Sequence, residues 1–417
     1  MQPAALLRSW VQVACLVVFC SAAQAFESEI RLMLGMRSVE IDAAPLVPDP
    51  EAAGYVDNER FFRSVLSLRH DVGSLRFFGQ GRIVFDDSDD APNGRETKTD
   101  SDVTLDELTA SYALDDTKVL FLGRRNISAG QSLGVNPADV FLKEGDLDRS
   151  LPAARRRSEI EGIDMVGSEF FFADGSSLLG YWAPSIGDLN EDAPHRAYAR
   201  YRTTFGADFA DIAFFAFDDT TPGAGLSIAY PFGSGLILYG DKALRKGRSL
   251  PEPSANASVG TPDANRWTIE GTLGLGYIFE SGLAMNLEYT HLSGGYDTFE
   301  WGRYVDAIRA NTPPADPAQG AVLAALGRIA QENYLRRNYA FLRLHRSDIL
   351  GLKIDAEWTV LYGVDDESGS VNLHLSKGFD EQTTLFLSLG ASFGEDDDEF
   401  RRGVESGSLG LFLERVF

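Results

Sequence analysis

From Phe26 onward, apolar and polar positions alternate with a period of two rather than 3.6, the spacing at which side chains fall on opposite faces of a β-strand. Ile30, Leu32, Leu34 and Met36 alternate with Arg31, Met33, Gly35 and Arg37. Phe62, Leu66 and Leu68 alternate with Arg63, Ser67 and Arg69. Leu75, Phe77, Gly79, Gly81, Ile83 and Phe85 alternate with Arg76, Phe78, Gln80, Arg82 and Asp86. One face of each segment is apolar or glycine; the other is polar, with arginine prominent. Segments of roughly ten residues or a little more with this pattern predict the strands of a transmembrane β-barrel, apolar side to lipid and polar side to the lumen.

The connections alternate between two size classes. Tight turns are expected at His70–Gly73, Asp115–Thr117, Asp174–Ser176, Ala207–Asp208, Pro231–Ser234, Glu280–Gly282, Ser347–Asp348 and Phe379–Glu381. On the other side fall Ala43–Asp57, Asp86–Asp102, Ala129–Ser158, Pro184–His195, Ala243–Asn265, Ser293–Glu332 and Glu395–Val404, with Asp219–Pro222 and Asp365–Glu367 as its short members. Short periplasmic turns and long extracellular loops are the rule for outer-membrane barrels, which puts both termini in the periplasm. The scheme predicts an all-β fold, a transmembrane antiparallel barrel of about 18 strands, an even number as single-chain bacterial barrels require. A soluble sandwich would also alternate, but its turns would not fall into two size classes.

Two segments depart from the strand pattern. Pro317–Gln331 carries Val322, Leu326 and Ile329 near helical spacing within the longest loop, and reads as a short helix packed over that loop or dipping into the lumen as a plug. Residues 1–25 read as a secretory leader, with Arg8, an apolar run from Trp10 to Cys20, and Ala23-Gln24-Ala25 before the expected cleavage. The barrel would then occupy 26–417. The final segment, with Leu409, Leu411, Leu413 and Phe417 on one face, resembles the terminal strand signal that the barrel-assembly machinery recognises; Arg415 interrupts that face. The surrounding lipid and lipopolysaccharide, that machinery and periplasmic export components are the expected partners.

Composition narrows the chemistry. Both cysteines, Cys15 and Cys20, lie in the leader, so the mature chain has no disulfide, thiolate metal site or cysteine nucleophile. The formal charge of −24 becomes −25 once Arg8 leaves with the leader, which disfavours nucleic acid as a partner. Much of the acid sits in loop runs at Asp86–Asp90 and Glu395–Glu399, and Asp396-Asp397-Asp398-Glu399 lacks the spacing of a calcium loop. No metal, cofactor or catalytic residue is expected. There is no G-x-S-x-G, H-E-x-x-H or phosphate-binding glycine loop, and neither His291 near Ser293 nor His374 near Ser376 has an orienting acid that sequence can place.

If the apolar positions face lipid, Arg31, Arg37, Arg63, Arg69, Arg76 and Arg82 line the lumen, joined by Arg200, Arg202 and, near the other end, Arg337 and Arg343. Arginine greatly outnumbers lysine, and its planar donor fork suits carboxylate and phosphate groups. Rings of arginine make anion-selective pores. The competing reading is an internal ion-pair network in which Asp106, Glu270, Glu288, Asp355 and Glu357 neutralise these arginines.

The stretch Gly123-Arg124-Arg125-Asn126, followed by Gly130-Gln131-Ser132-Leu133-Gly134-Val135-Asn136-Pro137-Ala138-Asp139, resembles a passage shared by porin-like barrels. In architecture the mature chain resembles alginate-export-type outer-membrane barrels. That resemblance implies 18 strands, an arginine-rich constriction and an anionic polysaccharide as cargo. It also implies that Arg124 and Asn126 project toward the pore, and that the loop through Asn136, Pro137 and Asp139 folds inward as a constriction. Within the same loop, Arg155, Arg156 and Arg157 follow Glu144, Asp146 and Asp148, and either line the pore or pair with those acids. The expectation is a passive outer-membrane channel for an anionic solute or acidic exopolysaccharide. The alternative is a plugged, non-conducting barrel that binds a ligand or partner through its extracellular loops.

Overall fold

The computed structural model describes residues 27–41, 58–89, 98–141, 152, 160–185, 195–205, 210–218, 222–248, 250–252, 260, 263–312, 314–332, 334–401 and 405–417. The expected leader, residues 1–25, and its expected cleavage site lie outside them, as do Arg155, Arg156, Arg157, Glu144, Asp146 and Asp148, the loop Ala43–Asp57 and the turn at Ala207–Asp208. The strands are β1 (Glu27–Ile41), β2 (Asn58–Val72), β3 (Leu75–Asp89), β4 (Lys98–Asp115), β5 (Lys118–Arg125), β6 (Ile163–Phe171), β7 (Ser177–Ala183), β8 (Arg196–Phe205), β9 (Ala210–Asp218), β10 (Gly223–Phe232), β11 (Leu236–Lys246), β12 (Trp267–Ile278), β13 (Ala284–Leu292), β14 (Asn338–Arg346), β15 (Ile354–Gly363), β16 (Gly369–Gly378), β17 (Thr383–Phe393) and β18 (Glu405–Val416). Each pairs antiparallel with the next, and β1 pairs back to β18, so the 18-stranded sheet closes on itself. Closure leaves no edge with unpaired backbone groups, which the hydrocarbon layer would penalise by several kcal/mol per group. The final residue joins the seam: the Phe417 amide donates to Ile30 O at 2.9 Å, and the Ile30 amide donates to Phe417 O at 3.2 Å.

The period-two pattern maps onto the two faces as expected. Leu34, Met36, Leu122, Phe214, Leu273 and Leu411 point outward and are exposed in the isolated chain, Leu273 by 74%. Met33, Phe121, Phe215, Tyr239 and Phe412 point inward and are buried. Arg415 lies on the outward side with its guanidinium 5.2 Å from the centre of the Phe417 ring, stacked at the end of the apolar band.

The two classes of connection also appear, with corrections at their edges. Strands take up much of Asp86–Asp102: β3 runs to Asp89 and β4 starts at Lys98. The tight turn expected at Ser347–Asp348 is a longer connection that includes a 3-10 turn at Ile349–Gly351. Several short turns are held by aspartate. The Asp174 carboxylate accepts from the Ser176 hydroxyl at 2.6 Å and amide at 3.0 Å, and Asp380 accepts from the amides of Gln382 and Thr383.

The loop between β13 and β14 holds two helices, α1 (Thr298–Asn311) and α2 (Pro317–Glu332). The second is the expected one. The first has a sequence signal that periodicity missed: Asp297, three residues before Glu300, forms a complete capping box. The helices bury Trp301, Tyr304, Val305, Ile308 and Leu326 with Tyr296 of the same loop and Leu250 of the loop between β11 and β12, so α2 packs over the loops as a cap. The fully buried Arg248 guanidinium binds both carboxylate oxygens of Glu300, at 2.5 and 2.9 Å. The acidic run after β17 latches this cap: Arg309 pairs with Asp397, and Glu399 accepts from the Leu335 amide at 2.6 Å and the Tyr339 hydroxyl at 2.7 Å. No described helix is long and apolar enough to cross a membrane.

Two outcomes are expected. Leu273→Arg, at the middle of β12 on the lipid side, should destabilise the barrel by about 2–4 kcal/mol, read as a lower urea midpoint for folding into vesicles. Asp297→Ala should loosen α1 by about 1 kcal/mol, read as lost amide protection over residues 298–311 while the barrel amides stay protected. Donation from the Glu300 amide, reinforced by Arg337, holds the Asp297 carboxyl below its ordinary value. The cap is therefore at full strength above about pH 4, and α1 protection in the wild type should fall only as the pH drops below that.

Candidate functional site: the inward loop and the arginine wall

The backbone leaves β5 at Arg125 and turns into the barrel. Asn126 marks the turn: its amide donates to Glu107 Oε2 at 3.3 Å and its side chain to Ile160 O at 3.5 Å, joining the outgoing and returning limbs of the loop. Residues 127–141 then run along the inside of the wall. Ile127, Ala129, Ala138, Val140 and Phe141 pack on inward-facing Phe121, Met165, Tyr181, Tyr198, Phe215 and Phe217. Further on, Leu133 and Val135 pack on Tyr339, Phe341 and Leu361.

A loop inside a barrel brings backbone amides that no strand can pair, and leaving them dry costs about 1–3 kcal/mol each. Two buried carboxylates on the far wall take them up. Asp241 on β11 accepts from the amides of Gln131 at 2.9 Å and Ser132 at 2.8 Å, from the Ser132 hydroxyl at 2.6 Å and, through its other oxygen, from the Ser227 hydroxyl at 2.5 Å. Glu288 on β13 accepts from the amides of Leu133 at 2.8 Å and Gly134 at 2.9 Å, and from the Tyr239 hydroxyl at 2.7 Å. Between them, the Thr272 hydroxyl donates to Val135 O at 2.9 Å. Ser227, Asp241, Thr272 and Thr290 lie in register across β10 to β13, forming one polar belt at the height of the loop. Tyr239 reaches Glu288 across β12 because Gly274 leaves the space: a Cβ there would stand 2.3 Å from the Tyr239 ring.

Within the loop, Asn136 is a buried pin. Its side-chain amide donates to Ala129 O at 2.7 Å, and its Oδ1 accepts from the Ala138 amide at 3.0 Å. Pro137 is buried beside it, and Asp139 accepts from the Ser128 hydroxyl at 3.1 Å. Gly130 has a φ of +84°, and a Cβ there would lie 2.4 Å from Asn136 Oδ1, so the crossing of the two limbs needs glycine.

The described part of the loop covers the wall from β5 to β15. The rest of the wall holds the arginines of β1 to β3. Arg31, Arg37, Arg63 and Arg82 all fall on the inward face: Arg31 and Arg82 stand in register with buried Val65, Arg63 with buried Met33, and Arg37 with Glu59. Carboxylates stand beside them. Arg82 meets Asp106 at 3.1 Å, Arg37 meets Glu405 at 2.5 Å and Glu59 at 3.4 Å, and Arg31 meets Glu29 at 3.3 Å. Across the barrel Arg343 binds Glu357 at 2.7 Å and Asn286 at 3.2 Å, and on β8 Arg202 binds Asp211 at 2.5 Å. Arg76 pairs with Asp71 next to the short turn, at the periplasmic rim rather than in the middle of the wall. Arg200 points inward beneath the loop.

No family model matches this chain, and no curated protein matches it significantly. Solved structures do. Pseudomonas aeruginosa OccK5 (OpdH) is 10% identical, with 94% of this chain and 98% of that chain covered and a TM-score of 0.52. Acinetobacter baumannii OccAB1 is 9% identical over 94% and 97%, with a TM-score of 0.53. Pseudomonas aeruginosa OpdK, solved with vanillate, is 10% identical over 94% and 98%, with a TM-score of 0.51. The chain shares the β-barrel fold of these proteins. At these identities the likeness is one of fold.

The barrel frame separates the residues singled out in the sequence. The loop bearing Asn136, Pro137 and Asp139 runs along the inside of the wall. Arg124 does not project into the pore: it stands in register with outward-facing Leu108 at the extracellular rim, where it binds Asp164 at 2.7 Å and Glu161 at 2.5 Å. Its neighbour Arg125 turns inward, over the Phe121 ring at 4.7 Å. Glu288, which the competing reading set against the arginines, grips the loop. Asp241 and Tyr239 carried no sequence signal of this role. One signal was available: β7 and β9, SLLGYWA and ADIAFFAFD, are apolar on both faces, so their inner face needs a cover. Among the described residues no group of His, Cys, Asp or Glu could hold a metal ion.

The double variant Asp241→Ala, Glu288→Ala strands the amides of residues 131–134. It should release the loop, giving larger and noisier single-channel conductance in planar bilayers with the barrel still folded. Unchanged conductance would mean that apolar packing alone holds the loop.

Proposed function

We propose that this barrel conducts anionic solutes passively, along the arginine wall of β1 to β3 and past the anchored loop. The observation that carries the reading is the placement of Arg31, Arg37, Arg63 and Arg82 on the inward face of three adjacent strands, on the part of the wall that the described loop leaves bare. Planar guanidinium forks there lower the barrier for carboxylates and other oxyanions. Their carboxylate neighbours keep each contact weak, and weak, distributed contacts are what conduction requires. That OpdK was solved with vanillate, a carboxylate, is compatible with such cargo. The finer reading, an acidic exopolysaccharide as in alginate export, rests on the resemblance of the Gly123–Asp139 passage and the lumenal arginines.

In planar bilayers the wild type should favour anions over cations, and Arg63→Glu with Arg82→Glu should abolish or reverse that preference. Unchanged selectivity would remove these arginines from the path. Oligouronate and monomeric uronate, compared as blockers of the current, separate polymer cargo from small solutes. The second reading, a barrel closed by its own loops, is favoured by the helical cap and its latches. Deleting residues 298–332 should raise conductance sharply if the cap closes the mouth, and change it little if the mouth is already open.

A further inference from the structure

Beneath the loop, on the side away from the arginine wall, lies a cavity of about 310 Å³ between loop residues 128–131 and the inner faces of β8, β9 and β10. Its contents do not follow from the channel's path. Tyr198 lines it and is 4% exposed, and the Tyr198 hydroxyl is buried with no hydrogen-bond partner among the described residues. Arg200 lines it too, and its Nε is likewise buried without a partner among them. A dry hydroxyl and a dry guanidinium N–H on one strand are costly, since each forfeits the hydration it would keep in the unfolded chain. Burial of such groups normally goes with a ligand, an ion or water.

The surrounding charges say which. Arg202 is held by Asp211, so that pair is close to neutral. Asp241 keeps its charge, but both of its oxygens are taken up by the Gln131 and Ser132 amides and the Ser132 and Ser227 hydroxyls, and the Ser128 hydroxyl is turned to Asp139. What remains is one cationic fork, Arg200, and one neutral donor, the Tyr198 hydroxyl, around a space also walled by Phe215 and Ala129. A guanidinium N–H and a hydroxyl, both buried donors without an acceptor among the described residues, select an acceptor-rich ligand, and the guanidinium favours one of negative charge. We infer that this cavity is a binding site for a small oxyanion, a carboxylate or phosphate group, held by Arg200 and Tyr198 and roofed by the loop. The site lies off the arginine wall, so it is distinct from the proposed conduction path. The oxyanion there bridges β8 to the underside of residues 128–131 and braces the loop beside its anchorage on Asp241. The Arg202 side chain is 56% exposed at the edge of the cavity, toward the periplasmic ends of β8 and β9, which places the entrance on that side.

The test is calorimetric titration of the folded full-length barrel in detergent with inorganic phosphate and, separately, with benzoate. Saturable binding of at least one probe is expected. Tyr198→Phe, which removes only the hydroxyl, should weaken it about 5-fold, and Arg200→Gln more than about 10-fold. Arg37→Gln, on the conduction wall, should leave it unchanged. Heat-modifiable migration on gels checks that each variant is folded. Binding of phosphate alone identifies a compact anion, and binding of benzoate, with or without phosphate, identifies a carboxylate with an apolar body against Phe215. No saturable binding of either probe to the wild type overturns the inference, as does binding that both cavity variants leave intact. Ion selectivity is read separately in bilayers, so a failure of the channel reading and a failure of this site are distinguishable.

Discussion

Asp241 and Glu288 each sit on the lumenal face with almost no exposure, and each is satisfied by backbone amides of the inward loop together with hydroxyls of the wall. The rest of the barrel's interior depends on these two carboxylates, and the dependence is mutual. Without the loop, the acids would face the lumen with fewer donors. Without the acids, the four consecutive amides of residues 131–134 would lack partners inside the barrel. This reciprocal arrangement lets an irregular segment cross a space where neither helix nor strand supplies its hydrogen bonds.

The apolar packing follows from that anchorage. With residues 127–141 held against the wall, the inner faces of β5 to β9 can be aromatic, and Tyr181, Tyr198, Phe215 and Phe217 stack along them. The wall of β1 to β3, which the described part of the loop leaves bare, carries Arg31, Arg37, Arg63 and Arg82 beside Met33 and Val65, and Arg31, Arg37 and Arg82 stand among carboxylates rather than alone. The same pairing of charge recurs outside: Arg248 with Glu300, and Arg309 with Asp397, tie the helical cap to the neighbouring loops. The acidic residues of the chain therefore serve two ends, solvation of exposed loops and contacts that fix loops in position.

Much of this was legible in the chain itself. The period of two, the alternation of turn lengths and the apolar terminal strand follow from lipid on one side and water on the other, and every strand carries that signature locally. Asp297 and Glu300 announce α1 by a local rule, and Asn136-Pro137 announces a turn. Two features were not legible. Arg124 and Arg125 are adjacent and chemically identical, and only the register of β4 and β6 decides which of them points outward. The Asp86–Asp102 stretch is as polar as a loop, yet two strands continue into it beyond the apolar band because neighbouring strands pair with it.

Alternation within single strands and the lengths of single connections were enough to specify the barrel, its strand number to within about two and the inward-facing row of arginines. The roles of Asp241, Glu288 and Tyr198 emerged only once the chain was folded. The loop amide that Glu288 grips lies 155 positions away along the chain, and a carboxylate with a distant backbone partner looks, in sequence, like one that pairs with an arginine next door.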